Sequence, residues 1–356
     1  MTVPEFMKGV VLTGHGGPDK LEWRTDLPVP HPDARDVLIK VGASAVNNTD
    51  INTRIGWYSK SVRGDTETGA NAGFGEDADA DGGWAGALDF PLVQGADCCG
   101  TIVAVGQEVD PARIGERVLV RPMHTPLDAQ APYSLATFGS ERDGAFAEYA
   151  TIASKDAVAI QSDLSDLELA SFPCAFTTAE GMIQRIALGA ERVLITGASG
   201  GVGSAAIQLA KRRGAHVTAQ TSPSKAAALR DLGADEILTR DDPLPDQAFD
   251  AVLDLVGGPR WPELLETLRK GGRYVTSGAI AGPIVELDLR TLYLRDLSLA
   301  GSTWQPDSVL TDLVGYIERG EIHPMLADHF PLQRISDAQE AFLSKSHIGK
   351  IGLTIE

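Results

Sequence analysis

Hydrophobic and polar positions divide the chain into an early part built of short strands and a later part in which strands alternate with helices. In the early part, short apolar or alternating runs separated by Gly, Pro and Asp predict strands. These strands are expected at residues 9–12, 37–41, 100–105 and 117–121. Residues 59–90 lack this pattern and are rich in Gly, Ala and Asp, with little to bury. A long surface loop is therefore predicted there.

From about residue 162, strand-like apolar runs alternate with stretches whose spacing predicts helices. This alternation predicts an α/β fold with a parallel sheet covered by helices on both faces. Residues 308–356 add two helical patterns and a closing strand near residues 350–355. The expected strands of the sheet are residues 192–196, 215–219, 251–255, 273–277 and 297–301, and the expected helices include residues 203–213 and 262–270.

The composition is that of a globular protein, and it limits the classes of partner that the protein can bind. The 356 residues, of which 43% are hydrophobic and 22% charged, suffice for two domains. A net charge of −18 argues against nucleic acid or an anionic membrane as the main partner and leaves a small-molecule substrate. Cys98, Cys99 and Cys174 cannot form a disulfide framework and fit a reducing compartment. The chain shows no signal-peptide pattern and no apolar run of about 18 residues, so we expect a cytoplasmic protein.

A glycine-rich turn follows the predicted strand at residues 192–196, within RVLITGASGGVGSAAIQLAKRRGAHVTAQTS. A strand, a turn and a helix in this order suit a dinucleotide. A backbone without Cβ approaches the pyrophosphate closely, and the free amides of the helix start hold its charge. The fingerprint G-x-G-x-x-G is met in part, because Ala198 takes its first glycine position. The cofactor contacts predicted at this turn are Ala198, Ser199, Gly200, Gly201, Val202 and Gly203.

The end of the following strand indicates which dinucleotide binds. NAD-binding domains usually carry an acidic residue there, which binds the ribose 2′-hydroxyl. Here Thr221 is followed by Ser222 and Lys225, and no acid occurs before Asp231. Hydroxyl groups and a lysine suit a 2′-phosphate, so NADPH is favoured over NADH.

Ordered motifs over nearly the whole chain resemble those of the medium-chain dehydrogenase/reductase superfamily. They include PVPHPDARDVLIKVGASAVNNTDINTRIGWY, PLVQGADCCGTIVAVG, GAFAEYATI, the glycine turn, FDAVLDLVGG and FPLQRISDAQEAFLSKSHIGKIGLTI. The resemblance implies a GroES-like, β-rich catalytic domain from residues 1–160 and 305–356. It places a Rossmann domain, a doubly wound parallel sheet that binds the dinucleotide, at residues 161–304. It also implies a homodimer joined through the edge strand of that sheet, here residues 297–304.

The resemblance raises the question of a catalytic zinc. Zinc-dependent members bind this metal through a Cys, a His and a second Cys. Asn47 stands at the first of these positions and Ala96 at the second, which leaves Cys174 alone. A catalytic zinc needs about three nitrogen, sulfur or oxygen ligands from the protein. We therefore expect no bound metal, and we expect Cys174 to be a small apolar residue near the nicotinamide.

Without zinc, the chain resembles the branch of quinone oxidoreductases and 2-enoyl reductases, which pass hydride from NADPH to a quinone or an activated alkene. Negative charge then develops on a carbonyl oxygen and needs hydrogen-bond donors. Asn47, Asn48 and Thr49 suit this role, and Thr49 matches the family's proton-relay hydroxyl. Tyr58 aligns with a tyrosine that donates a proton in similar enoyl reductases, and an aromatic wall of the pocket is an equal interpretation. Asp50 is expected to be a buried structural acid.

The resemblance supplies further cofactor contacts. Thr178 matches a threonine near the nicotinamide, and Arg240 matches a residue along the adenine, where its charge also suits a 2′-phosphate. Lys350 is considered either as a phosphate contact or as a surface lysine. The remaining candidates follow predicted strands, where ligands bind in open α/β sheets: Val256, Gly257, Ser277, Gly278 and Ala279.

Two other functions stay open on the sequence alone. One is an alcohol dehydrogenase-type activity with NAD or NADP, which a stoichiometric zinc would support. The other is a non-catalytic NADPH-binding sensor or structural protein, which would bind the dinucleotide without turnover.

The acidic loop has two features that bear on function. Asp77, Asp79 and Asp81 begin a calcium-loop pattern, but Leu88 stands where a bidentate glutamate is needed, so calcium binding is not expected. The aromatic residues in and beside the loop are candidates for a partly apolar lid over the substrate: Trp57, Phe74 and Trp84.

Overall fold

The computed structural model describes residues 3–75, 78 and 80–356, so Asp77 and Asp79 of the calcium-like pattern lie outside the described residues. The strands are β1 (Phe6–Leu12), β2 (Leu21–Pro28), β3 (Asp36–Val46), β4 (Leu92–Val93), β5 (Cys99–Val105), β6 (Arg117–Val120), β7 (Met123–His124), β8 (Ala136–Thr137), β9 (Tyr149–Ala153), β10 (Ala157–Ala159), β11 (Arg192–Ile195), β12 (His216–Gln220), β13 (Glu236–Leu238), β14 (Phe249–Asp254), β15 (Leu268–Thr276), β16 (Ser298–Gly301), β17 (Leu326–Pro331) and β18 (Lys350–Thr354). The helices are α1 (Asn48–Ile55), α2 (Thr66–Gly69), α3 (Asp166–Leu169), α4 (Pro173–Arg185), α5 (Gly201–Arg212), α6 (Ala226–Asp231), α7 (Trp261–Glu266), α8 (Leu289–Leu294), α9 (Ser308–Glu318) and α10 (Ile335–Leu343).

The β-rich part of the molecule is built from both ends of the chain. Its main sheet has the order β10-β6-β5-β3-β18-β17, with β9 also paired to β3. Strand β18, near the C-terminus, pairs antiparallel with β3 so that Ile351 lies opposite Val46. This register brings Lys350, at the start of β18, beside Asn47, at the end of β3. The four strands predicted in the early part are confirmed.

The later part forms one parallel sheet in the order β13-β12-β11-β14-β15-β16. Its two faces pack against different cores. Val193 and Ile195 of β11 belong to a cluster that includes residues of α4, α5 and α9, whereas Leu194 packs with residues of α7. Helices therefore cover both faces, which confirms the predicted fold class. Helix α9 packs against α4, although it lies in the predicted catalytic-domain tail; the domain boundaries stay a prediction.

One predicted helix ends earlier than expected, and one strand was not predicted. The helix predicted at residues 262–270 ends at Glu266, and β15 begins at Leu268. The short strand β13 was not predicted, because only its residues Ile237 and Leu238 are apolar and such a run carries almost no periodicity.

Residues 59–90 are better anchored than a surface loop with little to bury. The buried guanidinium of Arg54 donates to the carbonyl oxygens of Gly16, at 2.7 Å, and of Ala70, at 3.1 Å. Burial lowers the pKa of Arg54 to about 10. The amide of Thr66 also donates to the carbonyl of Ile280, in the loop after β15, at 3.3 Å. This insertion, residues 59–90, thus contacts both parts of the molecule.

Across the described ranges, no helix is long and apolar enough to cross a membrane.

Candidate active site

The glycine turn lies between β11 and α5 and has the geometry of a phosphate cradle. Gly197 has a φ of +59°, a conformation that side chains rarely adopt. A Cβ at Gly203 would lie 2.4 Å from the carbonyl oxygen of Gly197, so the helix can approach the turn only with glycine there. Gly200 is the N-cap of α5 and provides no side-chain cap, which leaves the first amides of the helix for an anionic ligand.

The end of β12 presents polar groups that suit the adenosine side of a dinucleotide. Thr221 is buried, and its Oγ1 has no hydrogen-bond partner in the structure. Burial lowers the pKa of Lys225, and the nearby Arg240 lowers it further, which places two cations at this end. The Lys225 ammonium donates to the carbonyls of Lys345 and His347, both at 2.6 Å. The glycine turn and this strand end therefore fit a bound dinucleotide.

The other predicted cofactor contacts are gathered at the same edge of the sheet, and their role as contacts stays a prediction. Asp254, the last residue of β14, organises this edge. Its buried carboxylate accepts from the hydroxyls of Thr196, at 2.5 Å, and Tyr274, at 2.6 Å. The predicted residues found at these strand ends are Ser222 after β12, Arg240 after β13, Val256 and Gly257 after β14, and Ser277, Gly278 and Ala279 after β15.

A buried polar cluster lies across from the glycine turn, centred on Asp97. Its Oδ2 pairs with the Lys350 ammonium at 2.7 Å and accepts from the Asn47 amide at 2.9 Å. Its Oδ1 accepts from the backbone amide of Cys174 at 2.7 Å, at the start of α4. The ammonium also donates to Asn47 Oδ1 and to the carbonyl of Val46, the latter at 2.9 Å. The aliphatic part of Lys350 lies close to Gly201, because a Cβ there would be 2.8 Å from its Cδ.

This cluster corrects two expectations. Lys350 is not a surface lysine, because its side chain is only 2% exposed. Asn47 was expected to donate to substrate, but its amide protons already bond to Asp97 and to the carbonyl of Ala45, the latter at 3.3 Å. Asn47 therefore holds Asp97 and Lys350 in place.

The three positions that bind zinc in the zinc-dependent relatives do come together here. Ala96 and Cys174 pack in one small apolar cluster with Met123. Burial, reinforced by Asp97, raises the pKa of the Cys174 thiol far above its ordinary value. An amide, a methyl group and a protonated thiol do not form a zinc-binding donor set. Within the part of the chain that the structure describes, no three His, Cys, Asp or Glu side chains are grouped so that they could bind a metal.

Asp50 has the structural role that the sequence predicted. It is buried, and its carboxylate accepts from the backbone amides of Asn47, at 2.7 Å, and Ala96, at 3.2 Å. Burial raises the pKa of Asp50 to about 7, although the Asn47 amide and the Lys350 ammonium oppose the increase. The carboxyl group thereby fixes the start of α1 and the segment that carries Asp97.

The start of α1 brings together the predicted proton-transfer groups. Asn48 and Thr49 are half-buried, and the Tyr58 hydroxyl donates to Thr49 Oγ1 at 3.1 Å. Burial raises the pKa of Tyr58 well above its ordinary value. Both roles predicted for Tyr58, an aromatic wall of the pocket and a proton donor, stay predictions, and this geometry is compatible with either.

Two site residues were missed or only partly recognised. Asp97 lies in the QGAD motif, but its role appears only when β18 and α4 are placed around it. Trp84 was assigned to an apolar lid, yet its indole N–H donates to Thr49 Oγ1 at 2.9 Å.

Phe74 packs inside the insertion against Gly69, and the Trp57 indole donates to the carbonyl of Gly64 at 3.1 Å. On α4, Thr178 is buried one turn after Cys174.

Comparison with known proteins matches two families in chain order. The family described as alcohol dehydrogenase GroES-like domain matches residues 33–162, and that described as zinc-binding dehydrogenase matches residues 201–318. A solved structure described as a putative alcohol dehydrogenase from Sinorhizobium meliloti is 43% identical, with a TM-score of 0.88, and the match covers 99% of this chain and 98% of that one.

Two curated relatives are named for reactions on activated alkenes. An acryloyl-coenzyme A reductase of Sulfurisphaera tokodaii is 28% identical over 97% of this chain and 99% of its own length. An NADPH-dependent alkenal/one oxidoreductase of Arabidopsis thaliana is 27% identical over 98% of this chain and 80% of its own length. From the fold, the site and these matches together, the chain belongs to the medium-chain dehydrogenase/reductase superfamily and is an oxidoreductase with a GroES-like and a Rossmann domain.

Proposed function

We propose that this enzyme reduces a quinone or an α,β-unsaturated carbonyl compound with NADPH and without zinc. The observation that carries the proposal is which residues stand where zinc-dependent members bind their catalytic zinc. There, Asn47 and Ala96 supply no metal-binding side chain, and the Lys350 ammonium bonds to Asn47 and Asp97 instead. A metal cation beside this ammonium would add like-charge repulsion to a poor ligand set.

The choice of NADPH follows from the cations near β12. Lys225 and Arg240 lie close together after β12 and β13, with no carboxylate at the end of β12 that would bind a ribose 2′-hydroxyl. Two cations and the unpartnered Thr221 hydroxyl suit the dianionic 2′-phosphate. The name of the Arabidopsis relative, an NADPH-dependent enzyme, supports the same choice.

Bound NADPH would supply the hydride that the β-carbon of the substrate accepts. The chain's own task is to stabilise the negative charge that this transfer leaves on the carbonyl oxygen, and then to complete the reduction with a proton. Thr49 would donate a hydrogen bond to that oxygen. Tyr58 holds its proton at neutral pH and can replace the one that Thr49 gives up. A quinone fits the same arrangement, because it is itself an α,β-unsaturated dicarbonyl compound.

The test combines kinetics with metal analysis of the purified protein. NADPH oxidation is followed with an enone, a quinone and a saturated ketone, in parallel with NADH, after dialysis against a chelator. We expect turnover of the enone or quinone, a preference for NADPH, and less than a tenth of an equivalent of zinc. Stoichiometric zinc, or activity confined to alcohols and saturated ketones, would overturn the proposal.

The second candidate is alcohol dehydrogenase activity. It is favoured by the description of the Sinorhizobium meliloti structure and by the name of the family that matches residues 201–318. The same panel separates the two, because alcohol oxidation with NADP⁺ would appear only under this alternative. For either activity we infer a small-molecule substrate and a cytoplasmic location, on the strongly acidic composition and the free, buried cysteines.

A further inference from the structure

The oxygen of Thr49 accepts two hydrogen bonds in this structure. The Tyr58 hydroxyl donates to Thr49 Oγ1 at 3.1 Å, and the indole N–H of Trp84 donates to the same atom at 2.9 Å. An indole N–H can only donate, so the direction of the second bond is fixed by its chemistry. The two rings that supply these donors lie against each other, with centroids 4.7 Å apart.

A hydroxyl group that already accepts two hydrogen bonds can still donate one. A threonine Oγ has two lone pairs and one proton, so with both lone pairs engaged Thr49 can act toward a third group only as a donor. Accepting two bonds also polarises the hydroxyl, because hydrogen bonds in a chain strengthen one another. A bound substrate therefore meets a proton at Thr49, not a lone pair.

Trp84 reaches Thr49 because the insertion is folded locally and tied to its surroundings. The amide of Gly83 donates to the carbonyl of Gly86 at 2.8 Å, so a short turn carries the indole. The amide of Ala85 donates to the carboxylate of Glu141 at 3.2 Å, which anchors the turn to another loop. The indole position is thus set by backbone contacts that do not involve a substrate.

We propose that Trp84 is a positioning residue that makes Thr49 an obligate hydrogen-bond donor, so that the site selects ligands with an acceptor oxygen over ligands with a hydroxyl. A ketone, enone or quinone carbonyl accepts the Thr49 proton directly. An alcohol would have to displace Trp84, or reverse the hydrogen bond between the Tyr58 and Thr49 hydroxyls, before Thr49 could accept its proton. The inference rests on the proposed function in one respect, that Thr49 faces the substrate.

The test measures ligand choice by titration calorimetry, so it does not depend on turnover of the proposed substrate. Cyclohexanone and cyclohexanol are titrated into the protein saturated with NADP⁺, for the wild type, Trp84→Phe and Trp57→Phe. Phenylalanine keeps an aromatic ring and removes the donor. Trp57 is the matched control, because its indole donates to the Gly64 carbonyl and not to Thr49.

We expect the wild type to bind the ketone more tightly than the alcohol. Loss of one hydrogen bond should reduce this ratio about fivefold in Trp84→Phe, while Trp57→Phe keeps the wild-type ratio. Thr49→Val, which keeps the indole and removes the shared hydroxyl, should also lose the preference if Trp84→Phe fails to fold. A wild type without ketone preference, or equal losses in the two tryptophan variants, would overturn the inference. Failure of the proposed function has a separate signature, the formation of NADPH from cyclohexanol.

Discussion

At the scale of single residues, the pairing of Lys350 with Asp97 shows how a buried charge is held in this fold. Both side chains are almost fully buried, 2% and 0% exposed, and the ammonium also donates hydrogen bonds to Asn47 and to the carbonyl of Val46. A buried ion pair contributes little net stability, but removing one partner leaves an uncompensated charge in a low-dielectric interior. Removing only one of the two charged side chains should therefore destabilise the protein.

We expect Lys350→Met to lower the free energy of unfolding by about 3–5 kcal/mol, because Asp97 would remain buried without its cation. Chemical denaturation measures this loss. Lys345→Met is the control, since Lys345 lies five residues earlier, is partly exposed and makes a long contact to the Glu67 carboxylate, at 3.9 Å, so that its loss should change little. The double variant Lys350→Met with Asp97→Asn should recover part of the stability. Equal, small losses for both single lysine variants would contradict a buried ion pair.

Lys225 is the residue at which the proposed preference for NADPH can be tested. Lys225→Ala should reduce kcat/KM for NADPH about tenfold, the effect of losing one charge-assisted hydrogen bond to the 2′-phosphate. The value for NADH should change much less, because NADH has no such phosphate. Since Lys225 also donates to the Lys345 and His347 carbonyls, the NADH measurement is the internal control for a structural role. Equal losses with both cofactors would assign Lys225 to structure alone.

At the scale of elements, the glycine turn shows what a sequence determines locally. The sequence predicts the turn at residues 197–203, with Gly203 at the third glycine position of the fingerprint. The structure shows that a Cβ there would lie 2.5 Å from the Cα of Ala198. Gly197 supplies the left-handed conformation, so Ala198 can replace the first glycine of the fingerprint without strain. Local conformational preference and steric contact decide this element, which is why the sequence predicts it well.

Gly203→Ala should destabilise the protein by about 1–3 kcal/mol, because the atoms that the new methyl group meets are backbone atoms of the turn that cannot move aside. The thermal shift produced by saturating NADPH should also shrink, since the same displacement opens the phosphate cradle. Gly315→Ala in α9 is the matched control, because its Cβ would meet only the flexible end of Arg319, at 3.0 Å. That change should be neutral or slightly stabilising. Comparable melting temperatures and ligand shifts in both variants would contradict the steric argument.

The features that the sequence did not predict depend on residues far apart along the chain. Lys350 opens a strand, and the local pattern around it gives no reason to expect burial. Its burial follows from Asp97, which lies more than 250 positions earlier and is placed by β3, β18 and α4. The bond from Trp84 to Thr49 similarly depends on how the insertion folds back over α1. Periodicity reports which face of an element is buried, but not which distant partner meets it.

At the scale of the whole molecule, the two domains meet along a seam formed by the C-terminal segment. The amide of Gly349 donates to the carbonyl of Ser199 at 3.0 Å, and Lys225 bonds to the carbonyls of Lys345 and His347. One step later along the chain, Lys350 reaches Asn47 and Asp97 on the other side. The segment of residues 345–350 thus contacts both the glycine turn and the Asp97 cluster.

We expect two copies of the chain to join at the edge of the parallel sheet that is formed by β16. Strand β16 lies at the edge, and the helix before it, α8, carries exposed apolar side chains that include Leu289, Tyr293 and Leu294. An exposed strand edge beside apolar side chains pairs readily with its own copy about a twofold axis. Sedimentation velocity should therefore find a dimer for the wild type and a monomer for Leu294→Glu. Ile114→Glu changes a similarly exposed apolar residue in the other domain, 52% exposed against 61% for Leu294, and should remain dimeric. If Leu294→Glu stays a dimer while remaining folded, the association uses another surface.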